Sequence, residues 1–351
     1  MKPMIVEKVA SVASSCELGR ELRVSPDIPC EEGVVVAVEV LNNKSSYNQL
    51  ELTSGRMAQV KAGDIVVGAL GHRHALFGYS GHMPLSLSPG DTVNILNLGG
   101  VIGICDSVTP DRGSPFECRV LGSVLHFPVL GERIGRPARV GIHALRDGLT
   151  LKTDGIPVVA LAGTCMDAGK TAAACAIISR FSHHGLRVAA FKATGVSLQR
   201  DVLAMEDAGA LETGLFTDFG VVTTTPESGP ALTRALLNQM AASRPEVIVF
   251  ELGDGLLGAY GVQAILSAPD IREALDAVVL CANDPVAAWG GVTLLRDNFG
   301  IEPALVTGRA TDNSVGSDMI VEQLGVPAFN ALTQETQVGA TLMQKLFPER
   351  C

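Results

Sequence analysis

The residues best suited to do chemistry lie in one segment, GTCMDAGKT, which runs from Gly163 to Thr171. An apolar stretch at 158–162 precedes it and predicts a buried strand, and the Ala-rich run that follows it predicts a helix. In such a loop, successive backbone N–H groups and the positive end of the helix together bind phosphate oxygens. The segment therefore predicts a phosphate-binding loop.

The loop residues have distinct expected roles. Lys170 is expected to reach the terminal phosphates, and the Thr171 hydroxyl to ligate Mg²⁺. In the common pattern G-x-x-x-x-G-K-[ST] the first glycine would fall on Thr164, whereas here the glycine comes one residue earlier. We assign nucleotide binding to Gly163, Thr164, Asp167, Ala168, Gly169, Lys170 and Thr171.

Further polar side chains follow the predicted strands downstream. Ligands of parallel α/β sheets bind beyond the carboxyl ends of the strands, where Lys192, Glu251 and Asn283 are expected. Glu251 follows a buried apolar strand and is the first choice for a second Mg²⁺ ligand, with Asp254 as the second choice. Candidate substrate contacts are Thr194, Gly195, Arg200, Asp201 and Arg309.

The pattern G-T-x-x-x-x-G-K-T resembles that of dethiobiotin synthetase and the cobyrinic acid amidating synthetases, which are P-loop NTPases. The resemblance covers about residues 156–285. Lys192 looks like the lysine that ends the second strand in that group, and Glu251 resembles the start of its Glu-Gly-x-Gly stretch, although Leu252 replaces the first glycine.

This resemblance implies an ATP-dependent ligase, synthetase or kinase that uses Mg²⁺ and phosphorylates a small carboxylate, with Lys170, Lys192 and Glu251 as catalytic residues. Asn283 would lie near the base. Adenine is favoured, because the lysine of the guanine-binding pattern Asn-Lys-x-Asp is missing. Related enzymes commonly build their site across a dimer interface, so a homo-oligomer is expected.

Two domains are predicted. Residues 151–351 alternate strands and helices, which indicates an α/β, doubly wound, mainly parallel sheet of the P-loop NTPase type. Residues 1–150 show short apolar runs separated by Gly, Pro and Asp turns, which predict a smaller antiparallel β domain, barrel-like and facing a substrate or a partner.

The N-terminal region holds a second polar cluster, Gly71-His72-Arg73-His74, followed by His82. A His-x-His pair on a strand points both imidazoles to one face, so His72, His74 and His82 are candidate metal ligands, with Cys105 as a fourth. Arg73 between the histidines suits an anion-facing loop instead. A surface hairpin without a ligand is the third interpretation.

Composition narrows the classes of partner. The formal net charge of −10 argues against nucleic acid, whose phosphates need a positive surface. No apolar run approaches the roughly 20 residues that cross a bilayer, and no signal-peptide pattern is present at the N-terminus. The eight cysteines include no C-x-x-C and suggest reduced thiols. We expect a soluble, cytoplasmic protein.

Two alternatives to the ligase remain open. A resemblance to D-glutamate N-acetyltransferase-type enzymes implies an acyltransferase that holds coenzyme A or another phosphate-bearing donor in the loop. The other alternative is a nucleotide-gated switch or metallochaperone NTPase, whose best support would be a metal site at the three histidines.

Overall fold

The computed structural model describes residues 1–128, 133–146 and 148–350. Contacts within the chain divide it into two compact units. The N-terminal unit comprises Met1–Leu145 together with the short segments Val196–Arg200 and Phe216–Thr223. The second unit comprises Arg146–Gly195, Asp201–Leu215 and Thr224–Cys351.

The N-terminal unit is built on a mostly antiparallel sheet. Its strands in chain order are β1 (Lys2–Ile5), β2 (Lys8–Val9), β3 (Glu21–Ser25), β4 (Val35–Val40), β5 (Gln49–Glu51), β6 (Met57–Gln59), β7 (Ile65–Leu70), β8 (Arg73–His74), β9 (Tyr79–His82), β10 (Thr92–Ile95), β11 (Val101–Val108), β12 (Phe116–His126) and β13 (Arg136–Pro137). The main path runs β1-β3-β12-β4-β7-β11-β9-β8, and β5 pairs with β6 in a separate ribbon.

The long strand β12 organises this sheet, because it pairs antiparallel with β3, β4 and β10. Its first half alternates buried and exposed residues, so one face packs on the core and the other faces water. The predicted antiparallel β domain is confirmed. A barrel-like closure of that domain stays a prediction.

The second unit contains a parallel six-stranded sheet in the order β16-β15-β17-β14-β18-β19. Its strands are β14 (Val158–Gly163), β15 (Val188–Thr194), β16 (Glu212–Leu215), β17 (Val247–Leu252), β18 (Ala277–Cys281) and β19 (Leu305–Thr307). The central strands are buried along their whole length, as expected for strands covered on both faces.

The helices alternate with these strands. They are α1 (Lys170–His183), α2 (Arg200–Asp207), α3 (Gly229–Ala242), α4 (Val262–Ser267), α5 (Pro269–Glu273), α6 (Pro285–Phe299), α7 (Ser314–Leu324) and α8 (Glu335–Leu346). Residues of α1 and α8 form one apolar cluster with Val159, Leu161 and Val249 of the sheet. The predicted doubly wound parallel fold is confirmed.

Three elements of this region were not predicted, namely β16, α2 and α5. The edge strand β16 has the sequence ETGL, which lacks an apolar run, and α2 and α5 are short. Beyond β19, a single parallel bridge joins Val306 to Ala328. Across the described ranges, no helix combines the length and apolar character that crossing a membrane requires.

Candidate phosphate-binding site

The glycine loop connects the central strand β14 to helix α1. Gly169 caps the helix with φ = +94°, a left-handed conformation that favours glycine. A Cβ on Gly163 would lie only 2.8 Å from both Cδ and Nζ of Lys170. Glycine therefore suits position 163, one residue before the position of the common pattern, because it leaves room for the Lys170 side chain to fold back over the loop.

Lys170 is the first residue of α1 and is 5% exposed. Its Nζ donates to the backbone oxygens of Cys165, at 2.9 Å, and Asp254, at 2.5 Å. Both acceptors are neutral carbonyls, which hold the ammonium in place at the loop. A phosphate oxygen is a stronger partner for this charge than a carbonyl.

The second residue of the helix contacts the end of the neighbouring strand. The Thr171 hydroxyl donates to Oε2 of Glu251 at 2.8 Å, and Glu251, the next-to-last residue of β17, is 3% exposed. A hydroxyl and a carboxylate are the hard oxygen ligands that Mg²⁺ prefers. This donor set fits Mg²⁺. Asp254, the second choice, is also buried, and its carbonyl binds Lys170.

A second buried cation lies on the strand next to β17. Lys192 of β15 is in register with Glu251. Its ammonium forms an ion pair with Asp201, in the first turn of α2, and the two side chains are 10% and 11% exposed. The structure thus places Lys192 and Asp201 together, and Lys192 beside the strand residue that fits Mg²⁺.

The substrate candidates nearest Lys192 make tight backbone contacts. The Thr194 hydroxyl donates to the Gly253 oxygen at 2.6 Å, and a Cβ on Gly253 would lie 3.1 Å from Cε of Lys192. Gly195 donates its backbone N–H to the Thr224 hydroxyl at 2.8 Å. Thr224 itself was not among the predicted site residues, although it lies in a threonine-rich turn.

In the segments that follow β14 and β18, two buried polar atoms lack a hydrogen-bond partner among the described residues: Oγ1 of Thr164 and Oδ1 of Asn283. Buried polar atoms are normally paired, so these two are suited to groups brought by a ligand or by water. Asp284 next to Asn283 has a structural role, because it caps α6 by accepting from the Ala287 N–H at 2.9 Å.

The loop after β19 packs against the phosphate-binding loop. Gly308 has φ = +94°, and a Cβ there would lie 2.3 Å from the Ala168 oxygen. Arg309, a predicted anion ligand, follows it and is exposed at the start of a short 3-10 helix, Arg309–Thr311. Arg200 is exposed as well. No contact among the described residues tests the substrate roles predicted for Arg309 and Arg200, which stay predictions.

The three histidines of the N-terminal unit find other partners. Nδ1 of His82 bonds to the Asp106 carboxylate at 2.8 Å, and Nδ1 of His72 accepts from the Met83 N–H at 3.3 Å. The His72 and His74 rings stack at 5.9 Å, and burial lowers the pKa of His72.

Within the part of the chain that the structure describes, no three His, Cys, Asp or Glu side chains are arranged to hold a metal. The metal site predicted at His72, His74 and His82 is therefore not found among these residues.

No family model matches the chain, and no curated protein matches its sequence. Solved structures similar to it include the signal recognition particle receptor FtsY from Elizabethkingia anophelis, at 14% identity and a TM-score of 0.41 over 56% of this chain and 67% of that one.

Two further solved structures are a duf1611 family protein from Anabaena variabilis and the hydrogenase maturation factor HypB from Archaeoglobus fulgidus. The first has 15% identity and a TM-score of 0.38 over 60% of this chain and 61% of that one. The second has 13% identity and a TM-score of 0.37 over 55% and 91%. These scores are low.

The molecule's own features define the fold of the second unit. A central parallel strand leads through a glycine loop with Gly-Lys-Thr into a helix, and an acidic residue ends the adjacent strand. This arrangement is the P-loop NTPase fold.

Proposed function

We propose that this protein binds Mg-ATP at the loop 163–171 and transfers the γ-phosphoryl group to a carboxylate of a small metabolite. The observation that carries the proposal is the register of Lys192 with Glu251. It places a second buried ammonium on the strand beside the residues that fit Mg²⁺. One lysine would then serve the nucleotide and the other the acceptor.

The loop residues bind and orient the nucleotide. Backbone N–H groups of the loop and the start of α1 cradle the phosphates, and Lys170 exchanges its two carbonyl partners for phosphate oxygens. Thr171 and Glu251 would hold Mg²⁺, and the bound ion would supply positive charge to neutralise the phosphates.

In the proposed reaction, a carboxylate oxygen of the substrate attacks the γ-phosphorus. The bond from that phosphorus to the oxygen bridging it to the β-phosphate breaks, and ADP leaves with an acyl phosphate as the co-product. The protein contributes positioning and charge stabilisation, which is sufficient for phosphoryl transfer. Ligation, amidation or cyclisation of the acyl phosphate would complete a synthetase reaction.

Lys192 and its surroundings support a carboxylate acceptor. The Lys192 ammonium is already paired with the Asp201 carboxylate, so its surroundings accommodate a carboxylate group. A substrate carboxylate would share or replace that partner. The resemblance of the Lys192 and Glu251 strand ends to the dethiobiotin synthetase group points to the same chemistry. A homo-oligomer and a cytoplasmic location stay predictions.

A second candidate function is a nucleotide-gated switch or metallochaperone. The observation that favours it is the same Lys192–Asp201 ion pair, because this pair satisfies the lysine without any substrate. In a switch, nucleotide binding and hydrolysis would suffice, and no small molecule would enter the site.

Trapping the acyl phosphate tests the proposal. The full chain is incubated with ATP, Mg²⁺, hydroxylamine and a panel of small mono- and dicarboxylates, and ADP and hydroxamate are measured. We expect one carboxylate class to raise ADP release and to yield hydroxamate, and Lys192→Met to abolish both. ADP release that no carboxylate changes would contradict the proposal and favour the switch. Binding of acetyl-CoA without ATP turnover would favour acyl transfer.

A further inference from the structure

Three cationic side chains gather among aromatic rings in the N-terminal unit, far along the chain from the phosphate-binding loop. We call them the basic cluster: Lys44, Arg73 and Arg112. None of them belongs to the nucleotide site proposed above.

Arg112 is the open member of the basic cluster, with 33% of its side chain exposed. Its guanidinium lies 4.7 Å from the centre of the Phe77 ring and 5.6 Å from that of Tyr47. Stacked rings fix the plane of a guanidinium while its edge keeps its N–H donors. Its Nε is buried and has no hydrogen-bond partner among the described residues.

Lys44 lies next to Arg112 and is half-buried. Its ammonium lies 5.6 Å from the centre of the Tyr79 ring and donates to the backbone oxygens of Arg112, at 3.3 Å, and Ser114. Removal from water lowers the pKa of Lys44. Both hydrogen-bond acceptors are neutral backbone carbonyls, so they do not compensate the charge of the ammonium.

Arg73 forms the buried base of the basic cluster and is 5% exposed. Its guanidinium donates to the backbone oxygens of Leu96 and Phe77 and to the Tyr47 hydroxyl. These acceptors are also neutral. Arg73 thereby holds the loop that carries Phe77 and adds a third positive charge to the basic cluster.

Carboxylates are sparse around the basic cluster. Three other cations of the N-terminal unit have close carboxylate partners, in the pairs Lys8–Asp64, Arg119–Glu39 and Arg139–Glu31. Among the described residues, one carboxylate approaches the basic cluster within ion-pair distance: Asp111, 3.9 Å from Nε of Arg112 and 61% exposed. Three cations thus share one distant, solvated carboxylate.

Such a grouping is unfavourable unless something compensates it. Like charges repel, and a partly buried cation without a counter-ion loses hydration that a protein normally replaces with an ion pair. The chain as a whole is negative, with a net charge of −10. The grouping of these cations is therefore not part of a general positive surface that attracts anions. A bound anion would supply the missing charge.

We infer that the basic cluster is a binding site for a small anionic ligand that presents a carboxylate or a phosphate group. The stacked guanidinium of Arg112 is the fork-shaped donor for two oxygens, and the Lys44 ammonium is the second contact. Arg73 positions the loop and strengthens the field. This inference stands apart from the proposed nucleotide site and would survive its failure.

The test is calorimetric titration of the full chain carrying Lys170→Ala, so that the phosphate-binding loop does not compete. Inorganic phosphate and succinate serve as probes at low ionic strength. We expect one or both to bind, which also distinguishes a phosphate ligand from a carboxylate ligand. Arg112→Gln, and separately Lys44→Gln, should each raise the dissociation constant about tenfold or more.

Arg119→Gln is the matched control, because Arg119 lies in the same unit and is paired with Glu39. It should leave the dissociation constant within about twofold, since a rim charge mainly changes long-range attraction. Circular dichroism verifies that all variants are folded. Absence of binding by both probes, or equal weakening by Arg112→Gln and Arg119→Gln, would overturn the inference.

Discussion

The Thr171 hydroxyl donates a hydrogen bond to the Glu251 carboxylate across 2.8 Å, joining the first turn of α1 to the end of β17. The two residues are 80 positions apart in the chain and meet because β14 and β17 are neighbours in the parallel sheet. The bond places the two oxygen ligands that fit Mg²⁺ side by side at the phosphate-binding loop.

Glu251→Gln is expected to lower the rate of nucleotide turnover about a hundredfold or more and to weaken its Mg²⁺ dependence. The amide keeps the shape of the side chain but loses the charge that balances the metal. The measurement is ADP release as a function of Mg²⁺ concentration. Glu246→Gln is the control, because Glu246 precedes the same strand and pairs with Arg350. An unchanged Mg²⁺ profile in Glu251→Gln would exclude the metal role.

Lys192→Met is expected to cost about 3–5 kcal/mol of the free energy of unfolding, because it leaves the buried Asp201 carboxylate without its ammonium. Combining it with Asp201→Asn should restore part of this loss without restoring turnover. Urea unfolding measures the effect. Arg296→Gln breaks the exposed pair with Glu302 and should cost less than about 1 kcal/mol. If Lys192→Met and Arg296→Gln lower the free energy of unfolding equally, the Lys192–Asp201 pair is not effectively buried.

Gly308→Ala is expected to weaken nucleotide binding as well as stability. The new Cβ would lie 2.3 Å from the Ala168 oxygen and 2.8 Å from the Ala282 oxygen, so the phosphate-binding loop must shift. Gly300→Ala is the matched control, because Gly300 has φ = +65° and open space around it. It should cost about 1–2 kcal/mol from its backbone conformation alone and leave nucleotide affinity unchanged. Thermal unfolding and calorimetry of both variants check the difference.

Stability is expected to fall as the pH rises from about 8.5, where thiols of the unfolded chain begin to ionise. Burial raises the pKa of Cys118 and Cys281 to about 12, so the folded protein keeps protons that the unfolded chain releases. The stabilisation by these thiols is thus complete below the unfolded pKa and is lost as the pH rises towards 12. Urea unfolding between pH 8 and 10 gives the slope.

Cys281→Ala should flatten this alkaline slope, because it removes one of the two thiols whose pKa burial raises. The comparison uses slopes, because removing Cys281 also changes packing in the core. Identical slopes in wild type and Cys281→Ala would show that the Cys281 thiol ionises equally in the folded and the unfolded chain.

The sequence predicted the parts of the site that depend on local spacing. Gly163, Lys170 and Thr171 belong to one loop, and Glu251 directly extends an apolar strand, so short-range patterns suffice for them. The parallel sheet was predicted from the alternation of strands and helices, which restricts how such strands can connect, whereas the order of the strands was not predicted.

Contacts between distant residues could not be predicted in this way. Glu51 is fully buried and accepts from the backbone N–H groups of Gln199 and Arg200 at 2.7 and 2.6 Å, yet no local pattern marks it. The bond from His82 to Asp106 likewise joins two strands of the sheet, and it engages the histidine that the sequence suggested for a metal. Side-chain partners of this kind follow from strand register, which the sequence alone does not reveal.

The most direct test of the central claim is calorimetric titration of the full chain with ATP, with and without Mg²⁺, in wild type and in Lys170→Ala. The account predicts Mg²⁺-dependent ATP binding in wild type that is lost in the variant, because Lys170 exchanges the Cys165 and Asp254 carbonyls for phosphate oxygens. No ATP binding by the folded wild type, or equal binding by wild type and Lys170→Ala, would contradict it.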